Sequence, residues 1–479
     1  MKKVLDSVHG YILIPDRYFK YIIDTEYFQR LRRIEQTSTR SIFPSARHDR
    51  FIHSLGVYHI GNMIATQLRE SLKECKLDKT EIDSICTSYE IACLLHDCGH
   101  APFSHTFEDY YGNKKEFPID LGTLVNDPDF TNDLTKNVQM EISSHEYVSA
   151  ILTVKKFTEA IHELGGRVDF IVRMIIGCCY TAPNKDVENC FISLLHGKVI
   201  DADRLDYACR DVWASGYCTS TIDLQRLISA MSIRKNQEYK YVVCFNNNCM
   251  NEIESVLDVR FFQSKYVLTH HTVSYEQWLL VKSVEQMALH YFPNNQIERL
   301  DDRANKAVMD LCDIRSLWEP VGVGEYKLIY PADGDFIHLM KQHINNDDNI
   351  REWYSRKYRR YALWKSTTEF YHYFPELKNV DLKNHAIQQQ AHNLLTSFLS
   401  CNIDDIVICP TKFKGRAKMD ELNLVIRNQV YGYTELYGKD EGEEYEEKDF
   451  FYIYVSKKYN NESMRNKIIE KLKELTKDT

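Results

Sequence analysis

The chain has no uninterrupted apolar run of the ~20 residues that a membrane-crossing helix needs, so no membrane span is expected among its 479 residues. It has no signal-peptide core either. Met1-Lys2-Lys3 leads at once into a charged, amphipathic sequence, and we expect no secretory leader. Cysteine is present, at 14 residues, but no pair has the C-x-x-C spacing. Cys178 and Cys179 are adjacent, which excludes the usual zinc-knuckle and redox patterns. Cys93, Cys98, Cys178, Cys179, Cys190 and Cys209 lie in or beside apolar helical patterns, where a thiol acts as a small hydrophobe. A reducing, cytoplasmic setting is the simplest reading. There is no basic excess: the net charge of −9 disfavours broad nonspecific nucleic-acid binding. Internal repeats and low-complexity linkers are also missing.

What the chain does have is an ordinary apolar fraction of 44%, enough for a sizeable core. Its length fits two or three domains, or one large helical core with an appendage. Val4–Ile14 reads as a short hairpin or extended lead-in. Thr25 is placed to cap a helix on which Tyr27, Leu31 and Ile34 share a face. Helices are predicted over Ser54–Leu72, Ile82–Leu95, Phe170–Cys179 and Phe191–Asp211, with one or two more over Glu252–Tyr291. Ser143-Ser144-His145-Glu146 fits a capping box. The first 320 residues are therefore expected to be mainly α-helical. Beyond them the texture changes. Asp335–Glu352 reads as helix, and Ile406–Cys409, Leu422–Ile426 and Phe450–Val455 as strands. Lys439–Asp449 reads as an acidic solvated loop, and Ser463–Leu475 as an amphipathic helix. The stretch 351–361 is basic with interleaved aromatics. It fits a nucleotide or single-stranded nucleic acid, but an exposed helix face with buried tyrosines is favoured.

The most informative segment is His96-Asp97-Cys98-Gly99-His100-Ala101-Pro102-Phe103-Ser104-His105. A helix ending in His-Asp and turning at glycine presents a nitrogen ligand and an anionic oxygen ligand together. His53 and Asp203 can complete a set of two imidazoles and two carboxylates. Such a set suits Mn, Fe, Zn, Co or Ni better than calcium, and it leaves coordination positions open. Asp203, Tyr207 and Asp211 follow at i, i+4 and i+8, so they line one helical face. Each step climbs ~6 Å, and the row spans about the reach from a metal-bound phosphate to a sugar. The bland alternative is a polar, solvated helix face.

Those ligands, in the order His, His-Asp, Asp, resemble the metal-dependent HD phosphohydrolase superfamily. The flanks Glu26–Ile34 and Phe43–Gly56 resemble its deoxynucleoside triphosphate triphosphohydrolase branch, which includes bacterial dGTPases and the vertebrate SAM-and-HD-domain enzyme. The resemblance is strong over residues 1–230, weaker to about 320 and absent beyond. It implies a mainly α fold, an HD-domain helical core with flanking helices over 1–320, and the pattern beyond it reads as a smaller mixed α/β accessory region over 321–479. It implies one divalent metal ion (Mn, Fe, Zn, Co, Ni or Mg) on His53, His96, Asp97 and Asp203. It also implies hydrolysis of deoxynucleoside triphosphates at the α-phosphorus, releasing a deoxynucleoside and inorganic triphosphate.

Further roles carry over by position. Arg50 and Arg204 fall at cationic phosphate contacts, Arg204 where the vertebrate enzyme has lysine. Tyr207 falls at a phosphate-contacting tyrosine. Gln36 and Asp211 fall where relatives hold the sugar 3′-hydroxyl. His100, His105 and His145 fall at histidines acting near the phosphate, with His105 the expected proton donor to the 5′-oxygen. Glu146 is either the cap of its helix or a histidine's orienting partner. Glu108 and Asp109 are further candidates to fix an imidazole tautomer. The chain departs from the family at Thr37, where the vertebrate enzyme has leucine. It departs again at Ser38-Thr39-Arg40, which replaces a glycine-rich stretch, and at Thr269, where a sugar-gating tyrosine is expected near Tyr266 and His271. Relatives are commonly oligomeric, so a homo-oligomer (dimer, tetramer or hexamer) is expected, with nucleotide activation and dNTP depletion in phage defence as extensions. The alternatives are another HD phosphohydrolase (a nucleotidase, phosphodiesterase or nuclease) and a non-catalytic nucleotide-sensing subunit.

Overall fold

Asp49 starts the helix on which the architecture is built. Its carboxylate accepts the Ile52 N–H at 2.9 Å and caps α1, Arg50–Glu74, as a short acidic side chain does for orphan N–H groups. Asp78 and Glu81 form a capping box on α2, Lys79–Leu95. The coordinates are a computed structural model describing residues 1–111, 117–136, 142–217, 221–379, 382 and 385–476. The fold is mainly α. Around α1 and α2 pack α3 (Ser144–Leu164), α4 (Ala202–Ser215), α5 (Met250–Gln263) and α6 (His271–Tyr291).

The strands are few and short. β1 (Lys2–Asp6) and β2 (Gly10–Ile14) form an antiparallel hairpin, as does β3 (Met231–Lys235) with β4 (Tyr241–Asn246). A small ribbon pairs β5 (Val321–Val323) with β6 (Tyr326–Leu328). The four remaining pairings involve β7 (Arg360–Ala362), β8 (Ile406–Phe413), β9 (Asn423–Ile426), β10 (Gln429–Gly432) and β11 (Lys448–Ser456). β11 lies between β7 and β8 in an antiparallel sheet. β9 runs parallel to β4, so a second sheet has the order β10-β9-β4-β3 and joins chain segments almost two hundred residues apart.

One apolar core extends from Ile12 through α1, α2 and α3 to Ile350, and it also takes in Leu422 and Leu424. A second core lies around β8 and β11 with Trp364 at its centre. It borrows Tyr275 and Leu279 from α6, so α6 is a wall common to both. Trp364 is fully buried and donates its indole N–H to Phe451 O at 2.9 Å, the partner that a buried indole requires.

Several expected elements differ in detail. Thr25 does cap, at 3.4 Å from Phe28 N, but the helix is one turn, Glu26–Gln29, continued as a 3₁₀ turn to Arg33. The single helix expected over 191–211 is two. The first ends at Ser193, and Asp201 then caps α4 by accepting the Arg204 N–H at 2.7 Å. The same carboxylate accepts the Gly197 N–H at 2.9 Å, which folds the break into a turn. Residues 252–291 likewise divide into α5 and α6, with a π turn at Ser264–Leu268 and His270 capping α6. In the basic 351–361 stretch, Arg359 and Arg360 both face Glu352, at 2.6 and 3.6 Å, and the Tyr358 hydroxyl bonds Glu276. Much of that charge is spent inside the fold. No cysteine among the described residues is in a disulfide.

Two glycines are required by close approach rather than by dihedral angle. A Cβ at Gly99 would meet the backbone of Val148 and Ser149 on α3, and one at Gly56 would overlap Asp206 Oδ1 and Arg210 Nη2 on α4. Alanine ordinarily improves a helix by about 1 kcal/mol over glycine. At Gly56 overpacking costs about 1–3 kcal/mol, and the obstacle is a buried ion pair. Gly56→Ala is therefore expected to lower thermal stability and metal uptake together. Gly334→Ala, where a Cβ meets nothing within 4 Å, is expected to be neutral. Parallel melting curves and metal analysis check both.

Candidate active site

α1 presents His53 one turn after its start, and the turn after α2 presents His96 and Asp97. Asp203 comes from the first turn of α4. The three chain segments meet. His53 Nε2 lies 3.1 Å from Asp203 Oδ1 and 3.5 Å from Asp97 Oδ2. His96 Nε2 lies 3.5 Å from Asp97 Oδ1 and 3.8 Å from Asp203 Oδ1. One ligand atom each from His53, His96 and Asp203 falls within a 4.8 Å cluster. Both Nε2 atoms are buried and have no hydrogen-bond partner. Buried polar atoms are rarely left so, and a cation that takes both lone pairs satisfies them. The donor set therefore fits a divalent metal.

The other ring nitrogens are tied down. His96 Nδ1 lies 2.9 Å from Cys93 O, and His53 Nδ1 lies 2.7 Å from Asp206 Oδ2. Such bonds fix the tautomer that leaves Nε2 as the ligand. Burial opposes charge on His53, but the neighbouring Asp203 and Asp206 carboxylates outweigh it and raise its pKa to about 10. The pocket is thus built around positive charge. Burial works against the anionic form of Asp97 as well, yet Arg50 at 2.7 Å and the adjacent histidines hold it well below the usual carboxylate range. Asp206 was not among the expected site residues, and its own partners explain its burial. It accepts two N–H bonds from Arg210 at 2.8 Å and lies 2.6 Å from His9 Nε2, while Arg210 also reaches Asp6 at 2.8 Å.

Beside this centre is a second imidazole group. His100 stacks on His145 at 4.0 Å, and His105 meets both edge-on. Glu108 joins them. Its two oxygens lie 2.7 Å from His105 Nδ1 and 3.0 Å from His145 Nδ1. Burial resists ionisation of Glu108, but these bonds drive its pKa well down. Burial pulls His100 the other way, well below its ordinary value, with Arg50 adding to the effect. Only His145 is raised, through Glu108, against burial. The His105 side chain is 63% exposed and His100 has no exposure, so His105 is the member that faces the cleft.

Glu146 takes another place. Its carboxylate accepts the Ser143 N–H at 2.8 Å and lies 3.2 Å from His196 Nδ1. It caps α3 and orients His196. The carboxylate on the three-histidine group is Glu108, so the catalytic placing of Glu146 is corrected. The capping-box spacing explains why, since it binds Glu146 to its own helix end.

The loop carrying His105 is held under strain. Phe103 and Ser104 have φ of 58° and 54°, a conformation costing about 1–2 kcal/mol per non-glycine residue. Asp333 accepts the Phe103 N–H at 2.6 Å and the Glu35 N–H at 2.9 Å, and burial pushes its pKa up to about 7. The Ser104 hydroxyl donates to Glu35 O at 2.6 Å and accepts Arg50 Nε at 3.0 Å. Arg50 is therefore held at the metal end, with further bonds to Asp97 and to Gln36 O.

The expected sugar residues also converge. Asp211 lies 2.7 Å from His48 Nε2 and accepts Gln263 Nε2 at 2.8 Å. Gln36 accepts nothing on its buried Oε1, and its N–H donates to His48 O at 3.0 Å. His48 and Gln263 were missed because nothing in their local sequence marks them. Arg204 pairs with Asp201, and Tyr207 lies beside Arg204 and Arg260. Thr269 Oγ1 donates to Lys265 O at 3.0 Å.

A family model described as "HD domain" matches residues 50–160. The chain therefore contains a segment similar to an HD domain. It is 29% identical over 279 residues to the deoxynucleoside triphosphate triphosphohydrolase SAMHD1 homolog of Dictyostelium discoideum, covering 56% of this chain and 46% of that protein. It is 32% identical over 258 residues to the deoxynucleoside triphosphate triphosphohydrolase SAMHD1 of Gallus gallus, covering 50% and 38%. It is 30% identical over 278 residues to the uncharacterized protein YwfO of Bacillus subtilis, covering 58% and 54%. The matches span about half the length of these relatives or less. A solved structure of a hypothetical protein from Aquifex aeolicus has the same fold, with a TM-score of 0.53 at 20% identity over 98% of this chain and 99% of that one.

Asp206 touches the candidate metal centre through His53. Replacing such a partner typically lowers metal affinity about 10–100-fold. Asp206→Asn is expected to weaken Mn²⁺ binding by that factor, measured by calorimetric titration. Unchanged affinity would remove Asp206 from the metal centre.

Proposed function

We propose that the chain is a metal-dependent phosphohydrolase that cleaves deoxynucleoside triphosphates into a deoxynucleoside and inorganic triphosphate. The observation that carries the reading is the pair of buried, unpartnered imidazole nitrogens at His53 and His96, facing Asp203 beside an accessible His105–Glu108 pair. Similarity to proteins named as deoxynucleoside triphosphate triphosphohydrolases supports the substrate class.

His53, His96, Asp97 and Asp203 would hold the cation, which supplies Lewis acidity at a phosphoryl oxygen. Arg50 holds Asp97 in place and has N–H groups left for phosphate. Arg204 offers a second planar donor fork. The Gln36 amide and the Asp211 carboxylate, pinned by His48 and Gln263, suit a sugar hydroxyl that both donates and accepts. His105 delivers a proton to the leaving 5′-oxygen. An incoming triphosphate adds negative charge that favours the protonated form of His105. Glu108 holds the Nδ1–H of His105 and of His145, so it orients the donor and favours its charged state.

A screen of dATP, dCTP, dGTP and dTTP with Mn²⁺, Mg²⁺, Fe²⁺, Co²⁺ and Ni²⁺, singly and mixed, tests the reading by product. Inorganic triphosphate is the expected product. Orthophosphate or cut oligonucleotide as the sole product would replace it with another phosphohydrolase, and binding without turnover would replace it with a sensor. Glu108→Gln is expected to lower kcat about 10²–10⁴-fold, the range for loss of acid–base catalysis. The sign of its pH effect follows from the charge. Glu108 raises the pKa of both histidines, so without it the protonated donor is lost at lower pH. The alkaline limb of the kcat profile should therefore move down, and a fixed limb would make Glu108 structural only.

A further inference from the structure

The segment after β8 reaches back to the active site from the far end of the chain. Three contacts pin it to its surroundings. The Phe413 ring meets the Phe261 ring of α5 edge-on at 5.4 Å. Arg416 Nε donates to Asp258 Oδ1 of the same helix at 2.7 Å, and its backbone N–H donates to Glu444 O at 2.7 Å. Between them, Gly415 presses against the backbone of Tyr445 and Glu446, where a Cβ would overlap. These anchors leave Lys414 no freedom to move with its loop. Phe413 is buried and Lys414 is exposed, so the two side chains point to opposite sides.

Lys414 points toward positive charge. Arg204, Lys412 and Arg260 lie near enough to lower its pKa, and Glu447 opposes them. Glu447 is already the ion-pair partner of Lys412. Arg204 has a buried Nε with no partner, and Arg260 lies one residue before Phe261, with Nη1 on Val199 O at 3.0 Å. Three cations from α4, α5 and the C-terminal region thus face one another. Asp201 pairs with Arg204 on one side, but the Arg204 Nε has no partner, and positive charge gathered around such a donor attracts a further anion. Asp203, the metal-facing carboxylate, is the residue next to Arg204 on α4, so the group borders the metal centre.

We propose that Lys414 is the third arm of a polyphosphate clamp, acting with Arg204 and Arg260 on the phosphates distal to the metal. This rests on the triphosphate reading above and extends it: the C-terminal region is part of the substrate site. A chain of phosphates carries charge along its length, and a lysine supplies a compact ammonium without the planar fork that arginine brings. The clamp selects for phosphate number rather than for base or sugar.

The test uses the full chain and inorganic tripolyphosphate as probe, by calorimetry. Lys414→Ala is expected to weaken tripolyphosphate binding about tenfold, as loss of one charge-assisted contact does, and orthophosphate binding much less. Lys414→Arg should stay within about threefold of the parent, since the charge is kept. Lys412→Ala, on the exposed Glu447 pair, should bind as the parent does. With dNTP, Lys414→Ala should raise KM and leave kcat nearly unchanged. Parent-like tripolyphosphate binding by Lys414→Ala would overturn the clamp, as would an equal loss in Lys412→Ala. Lys414-dependent binding without any dNTP turnover would support the clamp and count against the triphosphohydrolase reading.

Discussion

Asp206 is an ionised carboxylate with no solvent exposure, and the site depends on how that charge is tolerated. Taking one ion from water into a protein interior costs several kcal/mol even after relaxation. Here the cost is offset by the Arg210 fork, by His9 and by His53, while Asp6 neutralises the rest of Arg210. The result is a charge-balanced plug between α1, α4 and the β1–β2 hairpin. Its functional consequence lies at its outer end. Because Asp206 accepts the Nδ1–H of His53, the Nε2 lone pair can only point toward Asp203 and Asp97. The α1–α4 approach, the missing Cβ at Gly56 and the metal geometry are one constraint seen at three scales.

The histidine group repeats the logic with one anion and a mobile proton. Glu108 serves His105 and His145 at once, and His145 is stacked flat on His100. The stack leaves His100 without exposure and His105 at the open side. A carboxylate shared by two imidazoles keeps them oriented while either carries the proton. The strained Phe103–Ser104 pair is what lets the chain turn from His100 to His105 within so few residues. Its strain is borne by Asp333 and Glu35, and through Ser104 it also sets Arg50. Metal centre, proton donor and cationic contact are thereby coupled through the loop backbone and through the Arg50 side chain.

Much of this was legible in the sequence wherever the signal was local. The His-Asp turn, the 203/207/211 row and the Ser143 capping box each rest on spacing within one helix, and the geometry keeps them. Alternating β-branched and aromatic residues marked β8, β9 and β11 for the same reason. What could not be read was the meeting of distant segments. Asp206 sits in Asp-Ala-Asp-Arg-Leu-Asp with nothing to separate it from its neighbours until His9, Asp6 and Arg210 are placed around it. Glu108 and Glu146 were equal candidates for the histidines, and only the course of the loop after His105 decides between them. The break at Gly197 was hidden because apolar residues continue on both sides of it. The parallel pairing of β9 with β4 joins a strand of the C-terminal region to the helical core, and no local pattern encodes a partner so remote.

The matched HD segment, residues 50–160, contains His53, His96, Asp97, Arg50 and all three members of the imidazole group. It does not contain Asp203, Arg204, Tyr207, Asp211, Arg260 or Gln263. The division has a physical meaning. The first set builds a metal and proton-transfer centre that would serve many phosphate esters, and a shared fold by itself says no more than that. The second set, with Gln36 and His48 on the approach to α1, surrounds the space where a sugar and its distal phosphates would lie. On the proposed reading, substrate choice resides in helices that follow the matched segment in the chain and pack against it through α1. A relative could keep the first set intact and change the second, and its reaction type would survive while its substrate changed. The anionic chain as a whole does not conflict with an anionic substrate, because cations are concentrated where they face one another and carboxylates are spent on helix caps, ion pairs and the metal.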